Sequence, residues 1–145
     1  MAETLLHVKD IAKKFGKKIV LSNIDFEVKS GEIFGIVGMS GVGKTTLLET
    51  LVGFLRPDEG DVLFRPEHLL ELKKDSLIFK SVFDQAKEVK RFFGFATQTT
   101  SFYEKLTVEE NLCYFGCLYD INKSILKTNI ATALELVGLE KEKDT

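Results

Sequence analysis

Short apolar runs separated by polar residues mark the beginning of the chain and predict antiparallel strands. Three runs rich in Ile, Val, Leu and Phe fit this pattern, at Thr4–Lys9, Lys18–Leu21 and Asn23–Val28. After a turn at residues 29–31, the almost wholly apolar run Glu32–Val37 is typical of a strand buried on both faces, as in parallel sheets. The pattern therefore predicts an antiparallel start followed by a central strand.

A glycine-rich segment follows that strand and leads into a helix. Gly38–Gly43 has three glycines in six positions, and Lys44–Val52 continues with apolar residues at helical spacing. Gly53 stands where a left-handed residue commonly ends a helix, and Pro57 prevents its continuation. The predicted order is strand, glycine loop and helix.

The middle of the chain has a weaker pattern. Asp61–Phe64 and Phe92–Ala96 are predicted strands, and the second leads into a polar loop, Thr97–Ser101. Between the two strands, Arg65–Lys90 shows no clear periodicity, except that Ser81–Lys90 has the composition of a charged surface helix. One short strand, an irregular segment and a second strand are therefore expected here.

Two helices are predicted toward the end of the chain. Thr107 and Glu110 have the spacing of a capping box, which opens the first helix. The second extends from about Lys123 to Val137 with an apolar stripe on one face, and Gly138 closes it. Early strands, late helices and a glycine loop at a strand–helix junction together predict an α/β protein.

Composition narrows the class of protein. The chain has 145 residues, 44% of them apolar, and a net charge of −2, which fits one globular domain and disfavours binding to nucleic acid through bulk positive charge. Its two cysteines are typical of a reduced, intracellular protein. The N-terminus has no apolar signal region, and the longest run without charged residues, 12 residues at 92–103, is too short to span a membrane. We therefore expect a cytosolic protein unless a partner attaches it to a membrane.

The glycine-rich segment has the pattern of a phosphate-binding loop. Residues 38–45, GMSGVGKT, match G-x-x-x-x-G-K-[ST] at every fixed position. Glycines let successive backbone amides converge on phosphate oxygens, and the helix N-terminus adds partial positive charge. Lys44 is expected between the β- and γ-phosphates, and the Thr45 hydroxyl in the Mg²⁺ shell. An incidental glycine turn is disfavoured, because a strand before the segment and a helix after it are predicted independently.

Other reactive side chains are interpreted as structural. Cys113 and Cys117 lie one helical turn apart and could share a metal, but two ligands do not complete a site, so buried small side chains are favoured. Lys13 and Lys14, near the turn that contains Gly16, are interpreted as part of a solvated basic patch.

From Leu5 to Leu136 the sequence resembles the N-terminal half of an ABC-type ATPase, the nucleotide-binding domain of ABC transporters. The resemblance rests on Leu21–Phe64, around the Walker A loop, and on Phe95–Leu112, which is similar to the Q-loop and the start of the helical subdomain. It implies a P-loop NTPase fold with an N-terminal antiparallel β subdomain. It also implies a partial domain divided into a P-loop and β part, about 1–103, and the start of a helical subdomain, about 104–145.

The resemblance implies a set of residues that bind ATP and Mg²⁺. Gln98 corresponds to the Q-loop glutamine, which helps to place Mg²⁺ and the attacking water and joins Lys44 as a catalytic residue. Phe15 corresponds to an aromatic that stacks on adenine, although the residues alone also allow a core aromatic here. Residues expected to contact ATP are Phe15, Gly38, Ser40, Gly41, Val42, Gly43, Lys44, Thr45 and Thr46. Thr45 and Gln98 are the residues expected to reach Mg²⁺.

The function implied by the resemblance is ATP hydrolysis that powers transport through transmembrane subunits, with nucleotide-binding domains paired head to tail. Residues 110–121, ENLCYFGCLYDI, resemble the exporter branch of the family. The expected location is cytoplasmic and peripheral to the membrane, with no nucleic-acid partner. Two alternatives stay open: a non-catalytic ATP-binding or regulatory module, and part of a soluble ABC protein in translation or DNA repair.

Several motifs of the family do not occur in these 145 residues. The sequence has no Ser-Gly-Gly of a signature, no apolar run that leads into Asp-Glu, and no His after Gln98. We therefore expect a fragment or a truncated reading frame with an incomplete sheet, which binds ATP without efficient hydrolysis. The 54 positions from Lys44 to Gln98 are long for the family and indicate an insertion at about 65–90.

Overall fold

The computed structural model describes residues 3–65, 79–99, 101–119 and 121–145, in two compact units, Met1–Phe95 and Ala96–Thr145. Half of the predicted insertion at 65–90, residues 66–78, lies outside the described residues, and the insertion stays a prediction, as does the predicted boundary near residue 103.

The first unit contains a four-stranded antiparallel sheet with the order β2-β1-β3-β4. Its strands are β1 (Thr4–Phe15), β2 (Lys18–Lys29), β3 (Glu59–Phe64) and β4 (Lys80–Ser81). An early antiparallel subdomain was predicted, and the sheet confirms it. Because β1 lies between β2 and β3, it is the strand that joins the hairpin to the rest of this unit.

The β1–β2 hairpin is longer than the pattern predicts. The two strands pair from Thr4 opposite Lys29 to Phe15 opposite Lys18, across a turn in which Gly16 has a φ of 58°. The two runs predicted within 18–29 belong to one strand. Ser22 separates them in the sequence, and next to it Asn23 has a φ of 50°, an irregularity within one continuous strand.

In the described part of this unit, two helices accompany the sheet: α1 (Lys44–Leu51) and the single-turn α2 (Ala86–Val89), which continues into a 3₁₀ turn, Lys90–Phe92. Helix α1 ends close to its predicted end, with Gly53 in the left-handed conformation at φ 72°. The buried core joins the strands to both helices and consists of Val8, Ile11, Leu21, Leu47, Val62, Phe64, Val82 and Val89.

Two predicted strands, Glu32–Val37 and Phe92–Ala96, are wrong. Residues 32–39 and 93–97 have no regular structure, and Ile33 and Val37 are 100% and 97% exposed. A strand exists only with a hydrogen-bonded neighbour, and the described ranges provide no neighbour for either segment. The apolar composition of 32–37 is suited to burial between two such neighbours.

The charged helix predicted at Ser81–Lys90 is also wrong over its first half. The Ser81 hydroxyl donates to Asp61 Oδ1 at 2.9 Å and accepts from the amide of Phe83 at 3.2 Å. These side-chain bonds hold the chain in a turn and compete with helix formation. Helix α2 therefore begins only at Ala86.

The second unit is a pair of helices, α3 (Val108–Cys117) and α4 (Lys123–Val137). The predicted capping box is confirmed, since the Glu110 amide donates to Thr107 Oγ1 at 3.2 Å and the Thr107 amide to Glu110 Oε2 at 2.8 Å. Gly138 ends α4 with a φ of 70°, as predicted. Helix α4, with 15 residues, is the longest helix in the described ranges, and none of the helices there is long and apolar enough to cross a membrane.

One ionic contact ties β1 to the segment that precedes β3. Asp58 accepts the backbone amide of Lys14 at 2.7 Å and the Lys13 ammonium at 3.2 Å, and both bonds hold the pKa of the Asp58 carboxyl below its ordinary value of 3.8. Lys13 also donates to the Arg56 carbonyl at 2.8 Å, and its side chain is only 13% exposed. The interpretation of Lys13 as a solvated residue is therefore wrong.

We predict that Asp58→Asn lowers the thermal unfolding midpoint at neutral pH. The Asp58 carboxyl has a pKa of 3.8 in the unfolded chain and a lower pKa in the folded protein. Its negative charge therefore stabilises the fold fully at pH values well above 3.8. The stabilisation is lost as the pH falls from about 3.8 through the folded pKa. Thermal unfolding followed by circular dichroism from neutral to acidic pH should show the two midpoints converge in acid.

The matched control is Asp84→Asn. Its carboxylate makes a similar 3.1 Å contact with Arg56, but both side chains are largely exposed, so little change is expected. A difference in unfolding midpoint between wild type and Asp58→Asn that stays constant down to strongly acidic pH would contradict a stabilising role of the Asp58 charge.

Candidate functional site

The glycine loop at residues 38–43 is held against the β1–β2 hairpin by Gly43. This residue has a φ of 107°, and a Cβ atom built on it would lie 2.9 Å from Val20 Cγ1 and 3.0 Å from the Val20 carbonyl oxygen. A larger residue would have to displace the backbone of β2 as well as adopt a strained conformation. The close approach to Val20, which the sequence pattern does not reveal, explains why glycine is needed here.

The rest of the loop is also shaped by glycine. Gly41 has a φ of 75°, in the left-handed region, and a Cβ on Gly38 would lie 3.0 Å from Val42 Cγ1. Met39, Ser40 and Val42 are exposed around this turn. The loop is thus a tight bend of small or outward-exposed residues, and its backbone is accessible.

Lys44 folds back across this bend. Its ammonium donates to the carbonyl oxygens of Gly38 and Met39, each at 2.7 Å. The side chain is half-buried and closes the loop between its first residues and the start of α1. A positive charge therefore stands directly on the loop backbone, where the sequence predicts a phosphate.

The N-terminus of α1 supplies further donors. Gly43 is the N-cap residue, so no side chain caps the helix, and the first helical bond runs from the Leu47 amide to the Gly43 carbonyl at 2.9 Å. The amides of residues 44–46 precede the first intrahelical bond and are available to an anion. No acidic residue lies in the first turn.

The two threonines of this turn differ in environment. Thr45 is exposed and Thr46 is half-buried. The Thr46 carbonyl accepts the hydroxyl of the fully buried Thr50 at 2.7 Å, a bond within α1. Thr45 presents its hydroxyl on the exposed side of the same turn.

Phe15 is the last residue of β1 and lies at the same end of the hairpin as the loop. Its ring is 51% exposed, which excludes a core role, and the Lys13 ammonium is 5.6 Å from the ring centroid. It pairs with Lys18, two residues before Val20, so strand geometry places it on the order of 10 Å from the loop. The structure thus brings Phe15 and residues 38–46 to one end of the first unit.

Gln98 belongs to the second unit and is exposed in an irregular segment. The segment is held by the Thr97 hydroxyl, which donates to the Thr99 carbonyl at 2.6 Å and lies 2.6 Å from the Ser101 hydroxyl. Residues 97–99 and 101 of the predicted polar loop are therefore irregular, and their own side chains stabilise them.

Asn111 connects α3 to the chain that precedes it, a role that sequence reasoning missed. Its amide nitrogen donates to the carbonyls of Tyr103, Leu106 and Thr107, each at 3.0 Å, and its Oδ1 accepts the Tyr103 amide at 2.8 Å. The side chain is buried, and this network fixes residues 103–107 against the helix. An asparagine inside an otherwise apolar helix face was the available signal.

Comparison with known proteins agrees with this geometry. A family model described as ABC transporter matches residues 21–145. One relative is the Escherichia coli protein YbhF, which is named as a probable multidrug ABC transporter ATP-binding protein. It is 32% identical over 95% of this chain and 22% of its own length. The methionine import ATP-binding protein MetN of Clostridioides difficile is 31% identical over 97% of this chain and 41% of its own. The chain thus spans less than half of these relatives.

Solved structures give the same fold. An ATP-binding cassette of an ABC transporter, MJ1267, superposes with a TM-score of 0.75 at 25% identity, over 99% of this chain and 57% of that one. An ATP-binding subunit of an ABC transporter superposes with a TM-score of 0.75 at 24% identity, over 97% of this chain and 53% of that one. The predicted α/β class and P-loop NTPase fold are thereby confirmed. Since the family match covers most of the sequence, the protein belongs to the ABC transporter family, as a nucleotide-binding domain.

Proposed function

We propose that residues 38–46 bind the phosphates of ATP and that Phe15 binds its adenine. The observation that carries this proposal is the Lys44 ammonium, 2.7 Å from the carbonyls of Gly38 and Met39, beside the uncapped N-terminus of α1. A positive charge, accessible amides and a hydroxyl are concentrated within nine residues, with no acidic side chain in the first helical turn.

Lys44 changes partners when ATP binds. In the structure its acceptors are two neutral carbonyls, whereas phosphate oxygens carry negative charge. The positive ammonium attracts an anionic phosphate oxygen more strongly than a neutral carbonyl oxygen, so the exchange favours the nucleotide. The carbonyls already hold the ammonium over the loop, which reduces the side-chain entropy lost on binding.

The remaining residues position the nucleotide and its ion. Gly38, Ser40, Gly41, Val42 and Gly43 offer their backbone to the phosphates, and Thr46 supports the α-phosphate side. By the family resemblance, Thr45 and Gln98 would hold Mg²⁺, and Gln98 would also orient the attacking water. When bound, Mg²⁺ neutralises phosphate charge that the single ammonium leaves uncompensated.

For the whole protein we propose ATP hydrolysis that drives transport through transmembrane subunits on the cytoplasmic side, by a head-to-tail pair of nucleotide-binding domains. The relatives support transport as the shared function: they include one named for multidrug transport, one for methionine import and a Nod factor export protein of Burkholderia orbicola. Export is the direction favoured by the resemblance of residues 110–121. The alternatives are a regulatory ATP-binding module and a soluble ABC protein, and cargo stimulation of ATP hydrolysis in reconstituted vesicles distinguishes transport from both.

We predict that Lys44→Ala weakens ATP binding roughly 100-fold, because hydrogen bonds to charged groups contribute about 1.5–3 kcal/mol each. Titration with a fluorescent ATP analogue in the presence of Mg²⁺ measures the dissociation constant. The matched control is Lys17→Ala, which removes the same charge from the exposed hairpin turn and should leave the constant unchanged. Equal affinities for wild type and Lys44→Ala would refute the phosphate site.

Gly43→Ala should also abolish tight ATP binding, because its Cβ meets the backbone of Val20 and the loop must shift. Gly35→Ala is the control: that position lies three residues before the loop, has open space around it and has no positive φ. The same titration should give wild-type affinity for Gly35→Ala. If Gly43→Ala and Gly35→Ala bind ATP with the same affinity, the contact between Gly43 and Val20 does not shape the site.

Phe15→Ala should weaken ATP binding about tenfold and leave inorganic triphosphate binding unchanged, since stacking on a base is worth about 1–3 kcal/mol. Calorimetry with both ligands measures the difference. Ile19→Ala is the control, because Ile19 is 70% exposed on the same hairpin. An equal loss for the two ligands would show that Phe15 acts on the phosphate loop instead of the base.

A further inference from the structure

Two free cysteines share a cavity in the second unit. The cavity has a volume of about 460 Å³ and lies between α3 and α4, lined by Glu109, Cys113, Cys117, Lys123, Leu126 and Lys127. Cys113 is half-buried and Cys117 is exposed, so the interpretation of both as buried small side chains is wrong for Cys117. The proposed nucleotide site uses neither thiol.

The packing of the two helices explains why both thiols reach this cavity. Gly116 lies between them in sequence, and a Cβ on Gly116 would overlap the side chain of Leu126. Helix α4 therefore packs closely against α3 at this point. Cys113 also contacts the buried cluster of Leu126, Ile130 and Leu134, which makes one wall of the site rigid.

The spacing of the thiols decides what can join them. Positions one turn apart on a helix have Cβ atoms about 5–6 Å apart, whereas a disulfide requires about 3.5–4.5 Å. An intact α3 therefore resists a disulfide between Cys113 and Cys117. In a linear site the two sulfur atoms, each about 2.3 Å from the metal ion, lie about 4.6 Å apart. Two cysteines whose Cβ atoms are about 5–6 Å apart can bring their sulfur atoms to that separation.

The cavity also selects the kind of ion. Among the described residues no three His, Cys, Asp or Glu side chains are grouped as metal ligands, so a cation that requires four protein ligands is disfavoured. Glu109 lies 3.9 Å from the Lys143 ammonium, which competes for its carboxylate. The objection that two ligands do not complete a site applies to four-coordinate metals such as zinc. Soft thiolates favour soft ions such as Cu(I), which two ligands can bind in a linear site.

We propose that Cys113 and Cys117 form a two-thiolate site for a soft monovalent cation of the Cu(I) type. Binding releases two protons, one from each thiol, and leaves a complex with a net charge of −1. Lys123 and Lys127 line the same cavity, and their positive charges partly compensate that charge.

The test is an anaerobic titration of the 145-residue chain with Cu(I), in competition with a colorimetric Cu(I) chelator. We expect one ion per chain, two sulfur ligands by X-ray absorption, and a loss of affinity above about 100-fold in Cys113→Ser and in Cys117→Ser. Lys127→Gln should weaken binding about tenfold. Far-UV circular dichroism confirms that each variant keeps its helices.

A register variant provides the matched control. Cys117→Ser combined with Leu118→Cys keeps two thiols but moves one around the helix, away from Cys113, and Leu118 is already 64% exposed. We expect this variant to bind no better than Cys117→Ser. Wild-type affinity in the register variant or in either single variant, or one ion per two chains, would overturn the proposal.

Discussion

The close approach of Gly43 to the backbone of Val20 is the constraint on which the proposed nucleotide site depends. It fixes the end of the glycine loop to the β1–β2 hairpin, and the hairpin in turn presents Phe15 at the same end. Lys44 begins α1 directly after this contact and folds back over the loop. The proposed phosphate and base contacts are thus set by one glycine and the strand beside it.

The second unit is organised by polar side chains instead. Thr107 and Glu110 cap α3, and the Asn111 amide donates to the carbonyls of Tyr103, Leu106 and Thr107. Because a buried amide without partners costs free energy, this network specifies one conformation for residues 103–107. The segment that contains Gln98 is therefore followed by residues whose conformation is fixed before α3 begins.

Local signals allowed much of this to be predicted from the sequence. Capping at Thr107, the left-handed ends at Gly53 and Gly138, and the glycine loop with Lys44 all follow from neighbouring residues. Contacts between distant residues were beyond this reasoning: nothing near Gly43 indicates Val20, and nothing near Lys13 indicates Asp58. The strands predicted at 32–37 and 92–96 were wrong because an apolar run indicates a preference for burial but cannot supply a pairing partner.

The extended segment at 32–37 has a consequence for the behaviour of the chain in solution. Its apolar side chains face water at Ile33 and Val37, and it is short, β-branched and free of proline. Such a hexapeptide is a template on which a strand from another molecule can add, and repeated addition yields aggregates. These six residues next to the glycine loop are therefore a point at which copies of this chain can associate.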